Sequence, residues 1–151
     1  MAKKKKFVDV AGAGDRVAYR EVLKRIQKDG VCPFCPKNFV YHTRPILRTS
    51  KNWIVTENMN PYKGTKHHLL FVHKKHIESV GKVTPQAWKE LLAHLAWTEK
   101  KLHIKGGMFF MRTGDTAFTG ASVQHLHAQF ISGGRAKKTQ DPILVVAGYK
   151  K

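Results

Sequence analysis

The sequence predicts an α+β domain built on a largely antiparallel sheet of about five strands, with one long helix and a shorter N-terminal one. Three observations carry that prediction. Short β-type segments outnumber helical ones, most connections are short, and helical apolar spacing appears over only two stretches of the 151 residues. A chain of this length closes one core rather than two. The expected organisation is a basic, flexible N-terminal stretch over residues 1–14 followed by a single domain over 15–151.

In chain order, Asp15 to Lys28 reads as an amphipathic helix, with Val22, Leu23 and Ile26 as its stripe and Gly30 as its stop. Extended segments follow at Pro45–Arg48 and Trp53–Thr56. The loop Glu57–Lys66 holds the turn residues Asn58, Asn60, Pro61 and Gly64, and His68–Val72 reads as a buried strand. The clearest helix has Thr84 as N-cap and Pro85 in its first turn. It carries Trp88, Leu91, Leu92 and Leu95 at helical spacing and ends near Leu102. Strands are expected at Met108–Arg112 and Val123–Ile131, joined by the Gly- and Thr-rich loop Thr113–Ser122. Ile143–Val146 reads as an edge strand or a segment pairing with another chain.

Composition narrows the function. Lys and Arg total 28 against 10 acidic residues, a formal charge of +18, which attracts polyanions such as nucleotides, polyphosphates or nucleic acid. The lysines at 3–6 and 150–151 read equally well as solvated tails. No apolar run approaches the roughly 20 residues of a bilayer span, and no apolar signal segment follows the lysine run. A cytoplasmic protein without membrane partners is expected. The only cysteines are Cys32 and Cys35, too few and too close for a disulfide framework, so the pair reads as half a zinc site or a redox pair.

The stretch Gly120-Ala121-Ser122-Val123-Gln124-His125-Leu126-His127-Ala128-Gln129-Phe130 concentrates the chemistry. Side chains alternate on a strand, which would set His125, His127 and Gln129 on one face and Leu126, Ala128 and Phe130 on the other. Two imidazoles and an amide are an unusual choice for solubility alone, which favours a functional face over a solvated one. His94, His103, Trp88 and Trp97 are expected to pack or to lie on the surface, with no role in the site.

The H-x-H-x-Q pattern after Gly-x-Ser resembles the active-site strand of the histidine-triad superfamily. A Gln in the third place resembles its nucleotidyltransferase branch, that of galactose-1-phosphate uridylyltransferase and the diadenosine tetraphosphate phosphorylases. The resemblance runs from about Cys32 to Ile131. It implies that His127 attacks the α-phosphorus of a nucleotide and becomes nucleotidylated, with Gln129 and Ser122 assisting at the phosphoryl oxygens. It implies nucleotide contacts at Asn58, His68, Gly120, Ser122, His125 and Gln129, with residues around Trp53–Val55 bracketing the base. It implies a structural zinc on Cys32, Cys35, His76 and His125, with His73 as the rival third ligand. The implied reaction transfers or hydrolyses a nucleoside monophosphate group, with phosphate or water as acceptor. A single-copy chain is expected to form a homodimer, and dinucleoside polyphosphates are the expected substrates. Removal of adenylate from nucleic-acid ends, or non-catalytic binding of nucleotide or RNA, are the alternatives.

Overall fold

A five-stranded, wholly antiparallel sheet organises the computed structural model, which describes residues 5–151. The head of the lysine run, residues 1–4, lies outside the described residues. The strands are β1 (Ile46–Thr49), β2 (Trp53–Glu57), β3 (His67–His73), β4 (Met108–Met111) and β5 (His127–Ser132), in the spatial order β1-β2-β3-β5-β4. The long connection between β3 and β4 carries helix α2 (Pro85–Lys101), and this returns the chain to the far side of the place β5 will fill.

Alternation on the central strands gives the sheet two different faces. Trp53 and Val55 of β2, Leu69 and Phe71 of β3, and Ala128 and Phe130 of β5 form one face and pack with Ala87 and Leu91 of α2. The Trp53 indole N–H donates to the Ala87 carbonyl at 2.7 Å, so the largest buried side chain is also satisfied. The expected helix start holds: the Thr84 hydroxyl accepts from the Ala87 amide at 3.2 Å, with Pro85 beginning the helix. The other face carries Ile54, Leu70 and Val72, joined by Phe34 and Phe39 from the cysteine loop, and it also carries His68, His127 and Gln129.

Helix α1 (Val17–Asp29) ends on Gly30 in the left-handed region, as the sequence indicates. Its Leu23 and Ile26 pack with Val8, Ala13 and Val123 in a second, smaller core. Val8 and Ala13, within a stretch expected to be a flexible N-terminus, are part of that core, with Val10 packed against it. Val8 is only 1% exposed and bridges Val123, the Asp9 amide donates to the Ser122 carbonyl at 2.8 Å, and Val10–Ala13 form a 3-10 turn. Val8 and Ala13 supply the apolar surface that a disordered tail would lack.

Three further expectations are corrected. The last strand starts at His127 rather than Val123, because Gln124 donates to the Phe7 carbonyl and Leu126 to the Ile77 carbonyl, each at 2.7 Å. His125 therefore precedes the ladder, and only His127 and Gln129 share the expected face. The loop Thr113–Ser122 contains a helical turn, α3 (Thr116–Thr119), capped by the Asp115 carboxylate. Ile143–Val146 forms no strand; the Val146 carbonyl is taken by the Arg112 side chain, which leaves it unavailable to a ladder. No helix among the described residues is long and apolar enough to cross a membrane.

Truncating Leu23 to Ala should cost about 2–5 kcal/mol, the range for a fully buried leucine. Urea unfolding checks this; a loss below about 1 kcal/mol would show that α1 and residues 7–13 are not docked as described.

Candidate functional site

The polar face of β3 and β5 opens into a cleft of about 430 Å³, open solvent at its mouth included. His127 and Gln129 form its floor beside Leu70. Phe34 walls one side, Asn58 and Tyr62 another, and Gly120–Val123 a third. Among the described residues no carboxylate lines it. Of the residues expected to contact nucleotide, Asn58, Gly120 and Ser122 line the cleft, and His68 lies directly behind it, bonded to Gln129. Trp53 and Val55 do not bracket it. They share the α2 side of the sheet, alternation along β2 setting them on one face and packing choosing which, and both are fully buried there.

His127 is held as a neutral imidazole. Its Nδ1–H donates to the His125 carbonyl at 2.8 Å, which leaves the Nε2 lone pair free. Burial pushes its pKa down to about 4, with the Arg112 charge acting in the same direction, so the ring is uncharged near neutral pH. Phe34 meets the ring edge-on at 5.0 Å between centroids.

Gln129 is oriented from behind. The Tyr62 amide donates to His68 Nδ1 at 3.1 Å, so the proton of that ring sits on Nε2 and is given to Gln129 Oε1 at 2.7 Å. With its oxygen occupied, Gln129 turns its amide N–H groups toward the cleft. Burial lowers the His68 pKa to about 4, which keeps this one-donor arrangement at neutral pH.

The Gly120–Ser122 wall is shaped by close approach. Gly120 takes the left-handed conformation at φ 71° that ends α3. A β-carbon at Gly12 would lie 2.9 Å from the Ala121 carbonyl oxygen, so only glycine lets the N-terminal turn press on this wall. The Ser122 hydroxyl lies 2.6 Å from the Tyr19 hydroxyl of α1. Two arginines complete the mouth, Arg16 at the start of α1 and Arg112 just after β4. Sequence reasoning missed both, along with Tyr19, Phe34 and Tyr62. They stand outside the motif, and only the docking of α1 brings Arg16 within reach.

Behind the cleft, Cys32, Cys35, His76 and His125 bring their sulfur and nitrogen atoms within 4.8 Å of one another. His73 is elsewhere, with its Nδ1 2.9 Å from the Lys75 carbonyl and its ring against Trp53. Cys32 Sγ lies 3.2 Å and Cys35 Sγ 3.9 Å from His125 Nδ1, while Cys35 Sγ lies 3.6 Å from His76 Nδ1. A tetrahedral zinc with bonds of roughly 2.1 Å to nitrogen and 2.3 Å to sulfur sets ligand atoms about 3.4–3.8 Å apart.

The two imidazoles supply a sharper test. His125 Nε2–H donates to the His73 carbonyl at 2.5 Å, and His76 Nε2–H donates to the Glu78 carboxylate at 3.1 Å. Both Nδ1 lone pairs then face each other at 3.2 Å, an arrangement that a cation between them relieves. Burial pushes the Cys32 thiol up to about 12, so without a cation it stays protonated. The donor set fits zinc, and no part of it lines the cleft.

No protein-family model matches the sequence, and no curated protein matches it. Solved structures similar to this chain include histidine-triad proteins. A HIT family hydrolase from Clostridium thermocellum is 26% identical over 75% of this chain and 96% of its own, with a TM-score of 0.53. A protein described as "Hit Like Protein" is 26% identical over 61% of this chain and 88% of its own, with a TM-score of 0.52. A zinc-bound histidine triad family protein from Mycobacterium smegmatis shares the fold at 18% identity, covering 72% of this chain and 79% of its own, with a TM-score of 0.55. The architecture is therefore the histidine-triad-like α+β fold.

Zinc titration checks the Cys/His cluster. Saturation to 100 times Kd adds about 2.7 kcal/mol, which for a chain of this size raises Tm by roughly 5–10 °C. Protons should be released on binding, and Cys32→Ser should abolish most of the shift. Equal Tm with zinc and with chelator would count against the site.

Proposed function

We propose that this chain is a histidine-triad superfamily enzyme of the H-x-H-x-Q branch. It transfers or hydrolyses a nucleoside monophosphate group through a covalent nucleotidyl-histidine, with dinucleoside polyphosphates such as diadenosine tetraphosphate as substrates. The observation that carries this reading is the neutral His127, its Nδ1 proton tied to the His125 carbonyl, in a cleft that contains two arginines and no carboxylate.

In the first step the Nε2 lone pair attacks the α-phosphorus in line. A nitrogen–phosphorus bond forms, and the bond from that phosphorus to the bridging oxygen breaks. The electron pair leaves with the remaining nucleotide, ATP in the case of diadenosine tetraphosphate. The ring gains positive charge, which the Nδ1–H bond to the carbonyl spreads onto the backbone. The Gln129 amide and the Ser122 hydroxyl donate to the phosphoryl oxygens as charge shifts. In the second step water or phosphate takes the nucleotidyl group, giving AMP or ADP, and His127 returns neutral. Asn58 serves the ribose hydroxyls, and Phe34 with Leu70 offers the apolar surface for the base.

The role of zinc in this reading is structural. Cys32, Cys35, His76 and His125 would hold it, and it supplies a fixed charge that ties the cysteine loop to the backbone behind His127. A second reading, removal of adenylate from nucleic-acid ends, draws on the +18 charge. The expected state is a homodimer in the cytoplasm.

Diadenosine tetraphosphate, offered with and without phosphate and followed by mass spectrometry, tests the reaction. ATP plus ADP appearing only with phosphate makes the enzyme a phosphorylase; ATP plus AMP without phosphate makes it a hydrolase. His127→Ala should reduce either by on the order of 10³-fold or more. Turnover that survives His127→Ala contradicts the covalent route, and turnover of adenylated DNA alone favours the second reading.

A further inference from the structure

The mouth of the cleft carries more positive charge than the transferred group requires. A phosphoryl esterified on both sides bears one negative charge, and Gln129 and Ser122 already face it. Arg16 and Arg112 stand beyond them, one on each side of Tyr62. The Arg16 guanidinium carbon lies 4.9 Å from the Tyr19 ring centroid and 5.8 Å from that of Tyr62, while Arg112 Nη1 and Nη2 are each 3.3 Å from the Tyr62 hydroxyl. Among the described residues neither arginine has a carboxylate partner.

Both guanidinium groups are held in place by backbone carbonyls, which fix their direction without cancelling their charge. Arg16 donates from Nε to Ala13, from Nη1 to Asn60 and from Nη2 to Gly12, at 3.0–3.1 Å. Three of its five N–H groups are used, leaving two. Arg112 donates from Nε at 3.1 Å and from Nη2 at 2.5 Å to the Val146 carbonyl, and the Tyr62 hydroxyl occupies the end of its fork. Two half-buried cations so placed match a chain of phosphates better than a single one.

We infer that Arg16 and Arg112 form a subsite for the phosphates that are not transferred. It selects substrates whose leaving group is a polyphosphate over those whose leaving group is neutral or carries one charge. The inference deepens the proposed reaction and rests on it for the identity of the leaving group. The subsite itself requires only a polyphosphate ligand. On the Arg112 side the Val146 carbonyl occupies part of the fork until phosphate oxygens take those donors.

Two measurements on the full chain test it. The first is calorimetric binding of inorganic tripolyphosphate to the wild type, Arg112→Gln, Arg16→Lys and the surface variant Lys137→Gln. Arg112→Gln should weaken binding at least tenfold and Arg16→Lys should weaken it less. Lys137→Gln, which removes the same charge from an exposed position, should leave it unchanged. Equal weakening by Arg112→Gln and Lys137→Gln would overturn the subsite in favour of a general charge effect. The second is the ratio of kcat/KM for diadenosine tetraphosphate to that for adenosine 5′-phosphoramidate. It should fall at least tenfold in Arg112→Gln, whereas a merely structural lesion lowers both rates and leaves the ratio unmoved, which contradicts the inference. Arginine-dependent tripolyphosphate binding with no turnover of either nucleotide by the wild type would defeat the proposed reaction while supporting the subsite.

Discussion

One hydrogen bond sets the chemistry of the cleft: the 2.8 Å contact in which His127 Nδ1–H meets the His125 carbonyl. It decides which nitrogen is free and which way the ring faces, and it links the cleft to the cysteine cluster. His125 uses its carbonyl for His127, its Nε2–H for the His73 carbonyl and its Nδ1 for the two thiols. The residue thus joins three segments, each fixed by a different bond. Phe34 adds a second link, since it lies between Cys32 and Cys35 in the chain and meets both His125 and His127 edge-on. A metal at the cluster would stiffen both links at once from outside the cleft.

The electrostatic balance follows from burial. The His127 imidazole in this floor costs least when neutral, and the Arg112 guanidinium raises the cost of protonating it further, while Arg16 and Arg112 together do the same for His68 behind it. The same arginines favour an anion at the mouth. In the proposed reaction a neutral nucleophile beneath a positive entrance avoids the conflict that a charged one would create, because its lone pair is not lost to a proton. The surface charge of +18 adds a long-range attraction that raises encounter rates but distinguishes poorly among polyanions.

Much of this was legible in the residues. Thr84-Pro85 and Gly30 marked helix ends because caps depend on local chemistry. Alternation located His127 and Gln129 on one face because strand geometry forces it. Alternation also misplaced His125, because the strand begins two residues later, where pairing with Phe7 and Ile77 gives way to the β3 ladder. It set no limit on which face Trp53 and Val55 would take. The resemblance pointed to His76 with His73 as rival, and only three dimensions separate them, since His73 ends β3 and His76 lies three residues further on. Arg16, Tyr19 and Arg112 were illegible because their place in the cleft comes from tertiary docking, and the packing of Val8 was hidden behind a run of lysines.

The tautomer and charge of His127 are the most direct test, and nitrogen NMR of the histidine rings measures both. A folded pKa below the ordinary 6.5 means that the folded state resists protonation, so the ring should stay neutral as pH falls from 8 through 6.5 and take up a proton only near 4. Over that range the hydrogen should sit on Nδ1. A neutral Nδ1–H ring at pH 6 is the result this account requires. A hydrogen on Nε2, or a ring half-protonated at pH 6.5, would contradict it.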